Sequence, residues 1–201
     1  MNNLNKTFIP VTAIGAIVIL LVLLPLLAGF WTTVEAGHVG VLMTMGKVNP
    51  EELQPGFHFK QPIIDEVQQI DTRLVSFEVK ASSASKDLQN VETIISVQHN
   101  IAPSMAAETY QTVGDLIKVD QTIVAPAVQE SLKAITAKYT AEELVTRREQ
   151  VKKLVTDAIR DYIGHTLVEK DLKGAVQVAN VAVTDFNFSK EIGRASCRER
   201  V

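Results

Sequence analysis

Apolar and polar residues fall into three successive patterns along this chain. From Phe8 to Trp31 there are 24 residues without a charge, and only Thr12 brings a hydroxyl into the run. As a helix the run would be about 36 Å long at 1.5 Å per residue, against a hydrocarbon core of about 30 Å. It therefore predicts a transmembrane helix that spans with some tilt. Pro10 sits near the start, where a missing N–H costs little, and Pro25 predicts a kink in the distal part. Phe30 and Trp31 end the run with rings suited to the half-wetted interface. A cleaved signal peptide is the rival reading. The apolar stretch is longer than signal peptides carry, only Lys6 precedes it, and no small-residue cleavage site follows. An uncleaved anchor fits better.

The second pattern is period-two alternation. Val39, Val41, Met43 and Met45 alternate with Gly40, Leu42 and Thr44, which predicts a strand ended by Gly46. Pro50 and Pro55-Gly56 predict turns. Phe57-His58-Phe59 reads as a short strand closed by Pro62, and 66–73 and 74–80 as further strands. Residues 81–90 are small and polar, so a loop is expected there. Val91, Thr93, Ile95, Val97, His99 and Ile101 then alternate with Glu92, Ile94, Ser96, Gln98 and Asn100 in the clearest strand of the chain.

The third pattern is helical. Ser104 reads as the N-cap of a short helix over 105–112 that ends near Gly114. Pro126 disfavours an unbroken helix over 116–138, so the firm part is expected to begin near it. Thr140-Ala141-Glu142-Glu143 has the form of a capping box. The helix it opens carries Leu144, Val151, Leu154, Val155, Ala158, Ile159, Tyr162 and Ile163 on one side, with Gly164 as its expected stop. A Val-rich strand over about 175–184 closes the pattern, followed by Phe186 and Phe188. Strands followed by helices predict an α+β domain behind a membrane anchor.

Composition narrows the chemistry. The 201 residues suit one domain plus an extra element. Twenty Lys and Arg against 23 Asp and Glu give a net charge of −3, without the basic excess of a nucleic-acid binder. With 46% hydrophobic and 21% charged residues the chain is too apolar to be disordered. Cys197 is the only cysteine, which excludes an intramolecular disulfide and a cysteine-based zinc site. Charge also sets the orientation: the flank 32–46 has no Lys or Arg, whereas Lys6 precedes the run. The positive-inside rule then places the N-terminus in the cytoplasm and the body across the membrane.

Several segments in this order resemble a known family. Glu35-Ala36-Gly37-His38-Val39-Gly40-Val41 just after an anchor, Gly46-Lys47-Val48, and Leu53-Gln54-Pro55-Gly56-Phe57-His58-Phe59 look like the start of an SPFH (stomatin/prohibitin/flotillin, band 7) domain. Ser83-Ala84-Ser85-Lys86-Asp87-Leu88-Gln89, the stretch from Ala125 to Lys133, and Tyr139-Thr140-Ala141-Glu142-Glu143-Leu144 resemble the prohibitin branch, of bacterial type. Phe188-Ser189-Lys190-Glu191 resembles the opening of that family's long helix.

The resemblance implies an organisation: a tail over 1–7, the anchor over 8–31, an SPFH domain over 32–186 with a small, mainly antiparallel sheet packed with helices, and the start of the long helix over 187–191. It implies a scaffold, not an enzyme, with no cofactor. Such a scaffold assembles with itself or close homologues into rings or cages on membrane lipids. It modulates a membrane-bound AAA+ protease of the FtsH type, from the periplasmic side of the inner membrane. Residues 192–201 depart from the family. They hold Gly193, show no apolar periodicity, set Arg194, Arg198 and Arg200 against Glu199, and look foreign. Alternatives are a stomatin-like regulator of channels and a membrane-tethered ligand-binding domain or enzyme.

Other candidate sites have plainer readings. His38, His58, His99 and His165 lack metal-ligand spacing. Ser82, Ser83 and Ser85 lack the framing of a nucleophile. Phe57 and Phe59 flank His58 on one face of a short strand. The commoner arrangement puts both rings in the core. The alternative has the loop reach the membrane interface as a second attachment, with Lys60 near the headgroups. Arg147 and Arg148, with Lys152 and Lys153, form a basic cluster. A solvated face is the default, and a subunit contact with an acidic surface such as Asp65 and Glu66 is the alternative.

Overall fold

The computed structural model describes residues 29–184 and 186–188. Among these the strands are β1 (Trp31–Val34), β2 (His38–Thr44), β3 (Lys47–Leu53), β4 (Gly56–Phe59), β5 (Asp65–Asp71), β6 (Val75–Ala84), β7 (Asn90–Ile101), β8 (Val176–Val183) and β9 (Asn187–Phe188). The α-helices are α1 (Ala106–Thr112), α2 (Leu116–Val119), α3 (Ala125–Thr136), α4 (Ala141–Thr146) and α5 (Arg148–Glu169). Among the described residues the helices all lie between β7 and β8, and every strand pairing is antiparallel. The α+β expectation holds for the body. Most of the 8–31 anchor lies outside the described residues. Among those described, no helix is long and apolar enough to cross a membrane.

The strands form a two-stranded ribbon (β1-β4), a three-stranded sheet (β3-β2-β5) and a larger sheet (β6-β7-β8) in which β9 extends the β8 side of β7. β7 is the hub. Val91, Thr93, Ile95, Val97, His99 and Ile101 are all buried, as their alternation predicts, and they face the helices. α5 contributes Val151, Val155, Ile159, Ile163 and Leu167, an unbroken i,i+4 ladder on one face. α3 adds Ala127, Val128, Leu132 and Ile135, and the core runs on without a break into Val39, Val41 and Ile70 of the three-stranded sheet.

Several local expectations are corrected. Pro50 lies inside β3, not in a turn. β3 is an edge strand, and its register with β2 shifts between Val41 and Met43, so Pro50 interrupts no ladder on two sides. Residues 81–84 extend β6, because Ala81 and Ser83 turn inward in step with Val79, leaving only 85–89 as the turn. Ser104 caps nothing. The segment Pro103–Met105 is a 3-10 turn before α1. The expectation at Pro126 holds, since the regular helix α3 begins at Ala125, and a π turn over Asp120–Val124 precedes it. The wider turn makes room for a ring that would meet the carbonyl four residues back in a regular helix. Gly164 does not stop α5, which runs to Glu169. Asn187 and Phe188 are a short strand on β7 rather than the start of a helix, with Phe188 packed against the core.

The capping box forms as read. Thr140 N–H donates to Glu143 Oε2 (3.1 Å), and Glu143 N–H donates to Thr140 Oγ1 (3.3 Å). The helix it opens breaks at Arg147 (φ −112°, ψ 28°), which separates α4 from α5. In the core, His99 is fully buried with Nε2 2.8 Å from Asp120 Oδ1, an ion-pair distance off the line a hydrogen bond prefers. It ties β7 to the π turn.

Candidate functional site

The β1-β4 ribbon begins where the uncharged run ends. Its register sets Trp31 opposite Phe59 and Thr33 opposite Phe57, so the three rings share one face. Lys60 N–H donates to Phe30 O (2.9 Å), which continues the ribbon one residue toward the run. The Phe57 and Phe59 rings meet edge to face with centroids 5.1 Å apart. No described residue covers them: Trp31 is 51% exposed, Phe57 58% and Phe59 80%. The core placement of Phe57 and Phe59 is therefore overturned. Alternation along β4 was real, but no described residue forms a layer over that face of the ribbon. The inward residue is His58, whose Nε2 lies 2.6 Å from Gln54 O.

Two further loops converge on the same end. The β4-β5 connection carries Ile63 and Ile64, and the β2-β3 turn carries Met45, all three exposed. Met45 N–H donates to Ile64 O (2.8 Å), which joins the two loops. Asp65 closes the β4-β5 connection by accepting from Gln61 N–H (2.9 Å) and from Thr44 Oγ1 (2.8 Å). Those bonds, led by the Gln61 N–H, hold its carboxyl below the usual range. Trp31, Met45, Phe57, Phe59 and Ile63 are thus exposed apolar side chains on the ribbon and on the two loops joined beside it, with Lys60 in the β4-β5 connection and Lys47 at the start of β3. Patches of this kind mark contact surfaces.

The ribbon is seated on the three-stranded sheet by close packing. A Cβ on Gly40 would lie 2.8 Å from Val34 Cγ2 and 3.1 Å from both Leu53 Cβ and Val67 Cγ1. Only glycine lets the end of β1 lie this close to β2.

The remaining sequence candidates are dispersed. Phe8, Pro10 and Pro25 lie outside the described residues. Arg147 and Arg148 are exposed at the α4-α5 break, Asp65 belongs to the loop closure just described, and Glu66 follows it in β5 opposite Met43. Among the described residues no group of three or more His, Cys, Asp or Glu is arranged to hold a metal ion. Sequence reading missed Met45, Ile63 and Ile64. The signal available was Ile63-Ile64 directly after Pro62, two large apolar residues where a turn calls for polar ones.

Comparison with known proteins agrees with the fold. The model of the SPFH domain / Band 7 family matches residues 32–201. Prohibitin-1 of Schizosaccharomyces pombe is 28% identical over 169 residues, which cover 84% of this chain and 56% of that protein. Prohibitin-2 of Dictyostelium discoideum is 29% identical over 163 residues, 81% of this chain and 52% of that protein. Mitochondrial prohibitin complex protein 1 of Caenorhabditis elegans is 27% identical over 163 residues, 81% of this chain and 56% of that protein. The chain spans about half the length of these curated relatives. The chain belongs to the SPFH domain / Band 7 family and is a homologue of the prohibitins.

Proposed function

We propose that this protein is a membrane-anchored, prohibitin-like scaffold. Residues 8–31 cross the inner membrane once, with the N-terminus in the cytoplasm and the body on the periplasmic side. The body stands on the bilayer through Trp31, Phe57 and Phe59, with Met45 and Ile63 beside them and Lys60 near the headgroups. It assembles with copies of itself or close homologues into rings or cages. In that form it modulates access to a membrane-bound AAA+ protease of the FtsH type and organises the enclosed membrane.

One observation carries the reading: the exposed ring cluster is continuous with the uncharged run through the Trp31–Phe59 register and the Lys60–Phe30 hydrogen bond. A soluble body gains nothing by exposing these side chains. Each yields about 1.5–3 kcal/mol when fully buried, so seating them in the interface fixes how the body stands on the bilayer beside its anchor. Confinement to a plane then raises the effective concentration of copies, so weak lateral contacts suffice for assembly. Kinship with proteins named as prohibitins, one as a complex protein, supports the assembly step.

The test is extraction of the full chain from membranes in mild detergent, followed by sizing. A particle many times the 22.0 kDa of one chain that retains an AAA+ protease is expected. A monomer that enters the aqueous fraction without detergent would overturn the reading.

A further inference from the structure

Three bulky apolar residues lie in the left-handed backbone region and point outward: Met45 (φ 50°, 82% exposed), Ile63 (φ 79°, 90%) and Leu88 (φ 61°, 87%). A residue held this way costs on the order of 1–3 kcal/mol and persists only where its surroundings over-determine it. Met45 and Ile63 belong to the two joined loops beside β4. Leu88 does not. It stands in the turn between β6 and β7, on the other sheet.

That turn is rigidly built. Ser85 N–H donates to Gln89 O (2.9 Å), Leu88 N–H to Ser85 O (2.9 Å), and Gln89 N–H to Ser85 Oγ (3.0 Å). Ser85 Oγ donates to Asp87 Oδ1 (2.6 Å). Two more bonds fasten the turn to the start of α4: Lys86 N–H to Tyr139 O (2.8 Å) and Ala141 N–H to Asp87 Oδ1 (3.0 Å). Leu88 is therefore a fixed knob, not the tip of a loose loop. The Ser85 hydroxyl, first among the causes, holds the Asp87 carboxyl below its usual range, so a negative charge sits beside the knob. Glu142 adds another in the first turn of α4.

A matching hollow lies toward the other end of α4. It measures about 110 Å³ and is lined by Leu144, Val145, Arg148 and Phe186. Val145 is more than half exposed, and Arg148 at the rim lies with its Nε 3.5 Å from Glu149 Oε1 in an exposed pair of the kind that contributes little. The chain thus carries an apolar knob with an acid at its side and an apolar hollow with an arginine at its rim.

We propose that Leu88, with Asp87 at its side, seats in the Leu144–Val145–Arg148–Phe186 hollow of a second copy, with Asp87 facing Arg148. Opposite charges fix the register and reject like-to-like pairing. Every copy offers both halves, so the contact can repeat head to tail from copy to copy, which gives a ring when the rotation between copies closes. The inference rests on the assembly reading and names the surface that would carry it.

The test uses the full chain in detergent, with Cys197→Ser as background. One form carries Leu88→Cys and the other Val145→Cys, and the two are mixed and oxidised. A disulfide-linked dimer of the mixed pair, stronger than either form yields alone, is expected. In parallel, Leu88→Gly removes the side chain and the backbone strain together. Compared at a dilution where both are dissociated, its melting temperature should equal or exceed that of the parent, while self-association weakens about tenfold or more. Val145→Ser should weaken it similarly. If the parent assembles, no mixed cross-link forms and Leu88→Gly assembles equally well, the contact is wrong and the scaffold stands. If dissociated Leu88→Gly melts lower than the dissociated parent, Leu88 is structural and the contact is likewise rejected. If the parent is a monomer at every concentration, both readings fall.

Discussion

Trp31 stands opposite Phe59 across the β1-β4 ribbon, so the first residues of the body and the hairpin nearly thirty residues later present one aromatic face. Strand order brings them together. The ribbon is separate from the three-stranded sheet, and no described residue covers that face. Aromatic side chains left in this state suit an interface that is apolar on one side and wet on the other.

The double substitution Phe57→Ser, Phe59→Ser tests whether these rings hold lipid or the fold. Both are exposed, so the melting temperature should stay within about 2 °C of the parent, as for other surface changes. Binding to vesicles of a form lacking residues 1–28 should fall sharply in a flotation assay. A collapse of thermal stability with binding retained would assign the rings to the core.

Ile63→Gly separates function from folding in the same region. At φ 79° isoleucine is strained and glycine is not. Urea unfolding should show a gain of up to about 1 kcal/mol, with weaker vesicle binding. A loss of stability would mean that Ile63 packs against something within the domain.

Asp120→Ala leaves fully buried His99 without its neighbour 2.8 Å away. A loss of about 1–3 kcal/mol is expected by chemical denaturation. The second expected effect is faster amide exchange in the π turn, which His99 ties to β7. Unchanged stability would show that the pair contributes nothing.

Three carboxyls give the stability a definite acid limb. Asp71 is lowered chiefly by the Arg73 guanidinium, Asp65 by the Gln61 N–H and Asp87 by the Ser85 hydroxyl, all from an ordinary value of 3.8. A carboxyl depressed in the folded state binds its proton less readily there than in the unfolded chain. Its contribution is therefore fully present above that ordinary value and is lost as pH falls through the lower folded values. Urea unfolding should give stability that declines below pH 3.8, with a shallower decline for Asp71→Asn. An identical acid limb in that variant would remove Asp71 from the explanation.

Much of the body was legible in the sequence. β7 was readable because one face is wholly covered and the other open, which is the condition for clean alternation. The capping box was readable because its bonds span only three residues. The outward face of β4 was not, because alternation reports that two sides differ and not which one is covered. Pro50 and Gly164 misled for a related reason. Proline is tolerated at a sheet edge and glycine within a helix whose buried ladder is strong, and both facts are tertiary. Leu88 looked like an ordinary turn residue, since only the backbone angle marks it as held under strain.

The fluorescence of Trp31, the only tryptophan in the chain, reports most directly on where the body stands. The full chain is reconstituted in vesicles whose lipids carry bromine at the top of the acyl chains. The emission should be blue-shifted and strongly quenched, and Phe57→Ser, Phe59→Ser should reduce the quenching. Emission at the wavelength of a water-exposed indole, quenched by aqueous iodide and untouched by the brominated lipids, would place the ribbon in solution and contradict a body that stands on the bilayer.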